Sequence, residues 1–388
     1  MRLFSLILNY CTLSFIGFLL LLSSCKENDN PPVSDFKPTP YEIEIPYAFP
    51  TKLNIPADNP MTVEGVALGR YLFYDGRLSG RTHPDSLMSC SSCHIQQNNF
   101  EPGIDNPHFV GGFVHGLNGQ QTHHVVLPLI NLVWNSSGYG WNGSFFPDNE
   151  NPNFRNIEDI VRASVLAPDE MYGDTNRVKA LFQSLDGYPE LFFKAFGSQT
   201  ITFKNIEKAI AQFVRSFVSA DAKIDRYLKG EVQLSQSELN GFILFTTEEG
   251  ADCFHCHGGF GNPLFTTHLF YNNGKDTIFD DPLDRFAITN DPMHKGAYKA
   301  PTLRNISLSG PYMHDGRFST LDEVINFYSH HVKLSEQVDP LMHHVLRGGV
   351  QLTPSEKADL KAFIATLHDE NFLTNPAYSK PEKFPDED

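Results

Sequence analysis

The chain has 388 residues, enough for two or three domains with hydrophobic cores of their own, so its six cysteines are not needed as staples for folding. Acidic side chains number 46 against 30 basic ones, a formal charge of −16 at pH 7. That balance argues against nucleic acid as a partner and fits either plain solubility or attraction of a basic protein.

Residues 1–24 carry one cation, Arg2, then an apolar run through Leu22 and small residues before Cys25, the pattern of an export signal rather than of a fold element. The stop "LSSC" resembles the lipobox of bacterial lipoproteins, in which the cysteine becomes the lipidated first residue. A simple transmembrane anchor with an incidental cysteine is the alternative. Either reading places the remainder outside the cytoplasm and tethered to a membrane, in the periplasm if the source is a bacterium with two membranes. Residues 25–42 are polar and proline-rich, a flexible tether, and the folded part is expected from about Ile43.

Helical signals dominate from there, so the fold class is expected to be mainly α. In "NIEKAIAQFVRSFV", Ile206, Ile210, Phe213 and Phe217 recur at helical spacing and predict one buried face. In "TPSEKADLKAFIATL", Thr353 reads as an N-cap, Pro354 as a first-turn residue and Glu356 as its capping-box partner. Leu360, Phe363, Ile364 and Leu367 then form a stripe. Residues 101–122 and 258–300 are rich in Gly, Pro and Asn and are expected as long loops. A weak repeat, "VALGRYLF" at 66–73 and "LNGFILF" at 239–245, precedes two copies of another motif. It suggests two similar helical modules, 43–220 and 221–375, followed by a polar tail at 376–388.

The repeated motif is Cys-x-x-Cys-His: "CSSCH" from Cys90 to His94 and "CFHCH" from Cys253 to His257. A redox dithiol expects a βαβ setting and has no use for the histidine. Zinc needs four ligands but not a histidine directly after the second cysteine. Haem c attachment wants this order: Cys90, Cys93, Cys253 and Cys256 add to vinyl groups, and His94 and His257 bind iron. Two covalently bound haems are therefore expected. An electron carrier would close both irons with strong sixth ligands, whereas an enzyme leaves one open or able to open.

With "LGRYLFYDGRLSG", "SCSSCH", "WNGSF", "APDEM", "CFHCHGG" and the long block "GAYKAPTLRNISLSGPYMHDGRFSTLDEVINFY", the chain resembles the bacterial di-haem cytochrome c peroxidases and their MauG-type relatives over about residues 45 to 370. The resemblance implies two cytochrome c-like domains with the haems facing their interface, peroxide meeting the His94 haem and electrons relayed through the His257 haem. It implies that His115 caps the peroxidatic iron in the resting enzyme, that Glu170 moves protons during O–O cleavage, and that Trp141 lies between the haems as a relay. The family's distal Gln and Pro correspond here to Ile160 and Ser164. The second haem's sixth ligand falls on Tyr328, as in MauG, with Met313, Met342, His330 and His343 as rivals. The family's calcium ligands would be the Ser309 and Pro311 carbonyls, but its Asn position is Val125, so calcium is not expected. His314 and Arg304 match family positions that could support propionates or the interface.

The expected function is thus a peroxidase reducing hydrogen peroxide with electrons from a small cytochrome or copper protein. The alternatives are a MauG-like oxidase that acts on a partner protein through high-valent iron, and a non-enzymatic di-haem electron carrier. A homodimer is an inference from the resemblance alone.

Overall fold

The computed structural model describes residues 36–103, 106–110, 113–135, 137–143, 156–259 and 261–387. The export signal, Cys25, most of the tether and the last two residues of "WNGSF" lie outside them.

Among the described residues the elements are short helices joined by long connections. In chain order they are α1 (Val63–Tyr74), strands β1 (Phe109–Val110) and β2 (Phe113–Val114), α2 (Ile157–Leu166), α3 (Thr175–Ser184), α4 (Tyr188–Phe196), α5 (Phe203–Arg215), α6 (Lys223–Leu228), α7 (Gln236–Phe245), α8 (Phe254–His257), β3 (Phe270–Tyr271), α9 (Phe286–Thr289), β4 (Tyr298–Lys299), α10 (Leu321–His330), α11 (Pro354–Ala365) and α12 (Glu370–Thr374). Among the described residues the strands form two antiparallel pairs, β1 with β2 and β3 with β4, beside isolated bridges such as His115–Gln121. The described parts of the expected long loops are thus interrupted by short ladders, single bridges and single turns. The chain divides into Met1–Lys37 and a second unit, Pro38–Asp388, to which every one of these elements belongs.

Local signals become structure where capping and burial agree. Thr353 and Glu356 form the capping box of α11, and Leu360, Phe363 and Ile364 are buried beneath it. Ile206, Ile210 and Phe213 of α5 are buried, as is Phe217, which lies beyond the helix end at Arg215.

Apolar packing separates into two main clusters. One runs from Leu68 to Phe217 and the other from Ala222 to Leu367, while Phe49, Val133, Trp134 and Leu264 form a third, smaller one. The chain's end returns to the first cluster. Phe372, Leu373 and Tyr378 are buried there, the Tyr378 hydroxyl donates to the Ser216 carbonyl at 2.8 Å, and Asp386 pairs with Arg77 at 2.8 Å.

The weak sequence repeat marks the same helix crossing twice. A Cβ on Gly69 would lie 2.0 Å from the Ala209 carbonyl oxygen and 2.8 Å from the Phe213 Cβ; on Gly241 it would lie 1.9 Å from the Asp359 carbonyl and 2.8 Å from the Phe363 Cβ. Phe73 then meets Phe213 with ring centroids 5.4 Å apart, and Phe245 meets Phe363 at 5.1 Å. Glycine lets α1 touch α5 and α7 touch α11, and Gly-x-x-Leu-Phe ends each first helix under its cluster. Gly241→Ala should force this crossing apart and cost about 1–3 kcal/mol, readable as a lower urea midpoint.

Candidate functional site

The first Cys-x-x-Cys-His motif begins in a single turn, Cys90–Ser92, and closes with the His94 N–H donating to the Cys90 carbonyl at 2.9 Å. The His94 Nδ1 lies 2.6 Å from the Phe100 carbonyl oxygen. Because a carbonyl only accepts, Nδ1 holds the ring's proton and Nε2 presents a lone pair. Burial pushes the His94 pKa down to about 4, so the imidazole is neutral at pH 7. Both cysteines are unlinked, and burial pushes the Cys90 thiol up to about 12 and the Cys93 thiol higher still. A redox dithiol shows the opposite shift.

The second motif repeats the arrangement. His257 N–H donates to the Cys253 carbonyl at 3.0 Å, its Nδ1 lies 3.0 Å from the Pro301 carbonyl, and burial lowers its pKa to about 4. Cys253 and Cys256 are unlinked thiols raised by burial to about 12. Two neutral thiols placed to add to vinyl groups, beside an imidazole with a pinned Nδ1 and an Nε2 free for iron, fit a covalently held haem at both motifs.

Each motif opens on its own cavity. The first, about 310 Å³, is lined by Cys90, Cys93 and His94 together with Ile160, Ser164 and Glu170. The second, about 220 Å³, is lined by Cys253, Cys256 and His257 together with Met313, Tyr328 and Met342.

Glu170 follows α2 in a tight turn, with its N–H donating to the Ala167 carbonyl at 3.1 Å. Burial pushes its carboxyl up to about 8; a hydrogen bond from the Ser164 hydroxyl works against that rise and the neighbouring Asp169 charge adds to it. Ser164, which the sequence marked only as a departure from the family, is thus the acid's direct partner. Ile160 supplies apolar wall where the family has Gln.

His115 does not line either cavity among the described residues. Its Nδ1 is buried without a hydrogen-bond partner. Its loop still touches the acid's turn, since the Leu117 N–H donates to the Glu170 carbonyl at 2.9 Å.

Tyr328, at the inner end of α10, faces the second cavity, and its hydroxyl accepts from Asn273 Nδ2 at 2.9 Å. Burial holds its pKa well above the usual phenol range. The same Asn273 amide lies 3.7 Å from the Met313 sulfur, and His343 also lines this cavity. His330 does not: it bonds Gln351 at 3.1 Å on the surface.

One wall serves both cavities. Val125–Pro128, Trp141 and Lys299–Thr302 line each of them. The Trp141 indole donates to the Val125 carbonyl at 2.8 Å, and the Lys299 N–H donates to the Trp141 carbonyl at 2.7 Å, so backbone on two segments fixes the ring. Two residues of this region had no signal in the sequence. The Lys299 ammonium donates to the His268 carbonyl at 2.8 Å and is pushed down to about 7 by burial and then by Arg285. His268 lines the first cavity with Nε2 buried and unpartnered.

Other expected positions separate. His314 lines the second cavity, stacked on Tyr298 at 3.4 Å. Arg304 does not reach either cavity; its guanidinium holds Asp225 through bonds of 2.9 and 2.6 Å. Around Ser309 and Pro311 the acidic group is Glu101, raised to about 8 by burial, and Val125 offers an apolar side chain.

Comparison with known proteins converges on one family. A family model described as di-haem cytochrome c peroxidase matches residues 63–233. The methylamine utilization protein MauG of Methylorubrum extorquens is 30% identical over 320 residues, 82% of this chain and 82% of that protein. The chain belongs to the di-haem cytochrome c peroxidase family. Cytochrome c551 peroxidase of Nitrosomonas europaea is also 30% identical, over 275 residues, 70% of this chain and 74% of its own. A crystal structure of a MauG-like protein associated with microbial copper homeostasis superposes with a TM-score of 0.75 at 33% identity, covering 88% of this chain and all of that one. Among the described residues no helix is long and apolar enough to cross a membrane.

Proposed function

We propose that the protein is a di-haem c peroxidase that reduces hydrogen peroxide to two waters with two protons and two electrons from a small redox protein. The single observation that carries this reading is a proton-active carboxyl, Glu170, lining the same cavity as the neutral His94. Haem c would be held through Cys90 and Cys93 at one motif and Cys253 and Cys256 at the other, and would supply iron for peroxide binding and electron storage. His94 and His257 would hold that iron, their Nε2 atoms presented because Nδ1 is taken by the Phe100 and Pro301 carbonyls. The two apolar clusters and the duplicated glycine crossing support two cytochrome c-like halves.

In this reading Glu170 accepts the proton of one peroxide oxygen and returns it to the departing oxygen, which leaves as water. Ser164 holds the carboxyl in place. Trp141, in the shared wall, would relay electrons between the haems, and His115, on the loop that touches the Glu170 turn, would cap the first iron. Tyr328 would be the ligand opposite His257. The mature protein is lipid-anchored through Cys25 outside the cytoplasm.

A steady-state assay with hydrogen peroxide and a reduced small cytochrome or copper protein tests the activity. Glu170 must be ionised to accept a proton, and burial places its pKa at about 8. The rate at limiting peroxide should therefore rise from pH 6 through 8 and level off above, and this rise should vanish in Glu170→Gln. A rate that is flat with pH in the unaltered protein would remove the carboxylate from the rate-limiting step.

A second reading, a MauG-like oxidase acting on a partner protein, is favoured by Tyr328 in the second cavity and by the 33% identity to the MauG-like structure. Tyr328→Phe should alter the absorption spectrum of one haem and leave the other unchanged. No spectral change would end the ligand assignment.

A further inference from the structure

The double histidine at 123–124 lies in the wall of the first cavity, and both rings converge on one carboxylate. Adjacent side chains of an extended segment point to opposite sides; here a bend at these residues brings both to the same side. His123 Nε2 lies 2.7 Å from Asp281 Oδ1, and His124 Nε2 lies 2.7 Å from Asp281 Oδ2. One Nε2 from each histidine and a carboxylate oxygen fall within 4.8 Å of one another.

The carboxylate is itself held in place. The Tyr298 hydroxyl donates to Oδ2 at 2.6 Å and the Leu283 N–H to Oδ1 at 2.9 Å. His314, stacked on Tyr298, has its Nε2 3.9 Å from Oδ2. Burial by itself would raise the Asp281 pKa, but the bonds from His124, Tyr298 and the Leu283 N–H hold it well below the usual carboxylate range.

We propose that His123, His124 and Asp281 form a binding site for a divalent first-row transition ion of the zinc–copper class. Two imidazoles and one carboxylate suit such ions, whereas calcium and magnesium prefer all-oxygen shells. Tyr298 and the Leu283 N–H orient the carboxylate as outer partners of a metal ligand do. The side chain of His123 is 44% exposed, which opens a path from solvent and lets its ring move. Bonds of about 2.0–2.2 Å in a tetrahedral shell require the 2.7 Å His–Asp separations to widen by roughly 0.6–0.9 Å, which rotation of the exposed His123 ring and a shift of Asp281 supply. Without metal, the same groups form a hydrogen-bonded knot around Asp281.

The test uses the purified protein with both haems in place, treated with a chelator, desalted, and equilibrated with Zn2+ or Cu2+ alone. Elemental analysis should find one non-haem ion per chain. Cu2+ should give an electron paramagnetic resonance signal split by two nitrogens. His123→Ala and His124→Ala should each weaken binding about ten-fold or more, with haem content and thermal midpoint preserved as evidence of folding. Any of three results would overturn the site: no ion retained by the unaltered protein, retention unchanged in the double His123→Ala/His124→Ala variant, or loss on His255→Ala instead. His255 belongs to the other metal-sized cluster among the described residues, Glu248, His255 and His343.

Discussion

Replacing Glu170 with Gln should lower the turnover of hydrogen peroxide on the order of 10²–10⁴-fold while both haem spectra remain. Gln keeps the volume of the side chain and its capacity to accept from Ser164, so the cavity wall is preserved. What it loses is the ability to take up and release a proton. The environment has already tuned that proton: burial lifts the carboxyl to about 8, within reach of neutral pH, where a free glutamate would be fully ionised and a poor donor. Stopped-flow mixing with peroxide separates this loss from donor binding, because the step involving peroxide precedes any encounter with the external protein. Turnover within two-fold of the unaltered protein would place proton transfer on another group, with His268 of the same cavity as the next candidate.

The second large effect is structural. Arg304→Leu should destabilise the protein by about 3–5 kcal/mol, read as a fall in the urea midpoint, with haem content retained below the transition. Arg304 is fully buried. Each of its three guanidinium nitrogens donates one bond, two to Asp225 and one to the Pro263 carbonyl at 2.8 Å, and its Cζ lies 5.2 Å from the centre of the Phe49 ring. Removing it strands the Asp225 carboxylate, which is 5% exposed, with the Ala222 N–H at 2.9 Å. The double variant Arg304→Leu/Asp225→Asn should recover most of the loss, because the cost comes from an unpaired buried charge more than from a missing attraction. Unchanged stability with loss of haem would instead mean that this arginine holds a propionate.

The elements that were legible in the sequence are those decided by neighbours along the chain. Thr353 and Glu356 cap α11 because they are three residues apart, and the α5 stripe is buried because its period matches the helix. The two Cys-x-x-Cys-His motifs announced their donor sets for the same reason. Pairings set by tertiary contact left no such trace. Tyr378 sits in what reads as a polar tail, yet its ring fills the first cluster and its hydroxyl meets Ser216. Ser164 registers in the sequence only as a mismatch and becomes meaningful when the turn after α2 folds Glu170 back onto it. Lys299 enters the shared wall and His268 the first cavity because β4 and the segment before β3 meet there, and no spacing foretells it. Asp281 is more than 150 residues from the two histidines it joins, in a stretch read simply as loop.

Electron paramagnetic resonance of the resting and half-reduced protein tests the central claim, a division of labour between the His94 and His257 haems. After addition of one electron per chain, the ferric signal of one haem should disappear, and the remaining iron should show the high-spin signal of an open or opened site. Two closed, low-spin irons in both states would contradict this and leave a pure electron carrier.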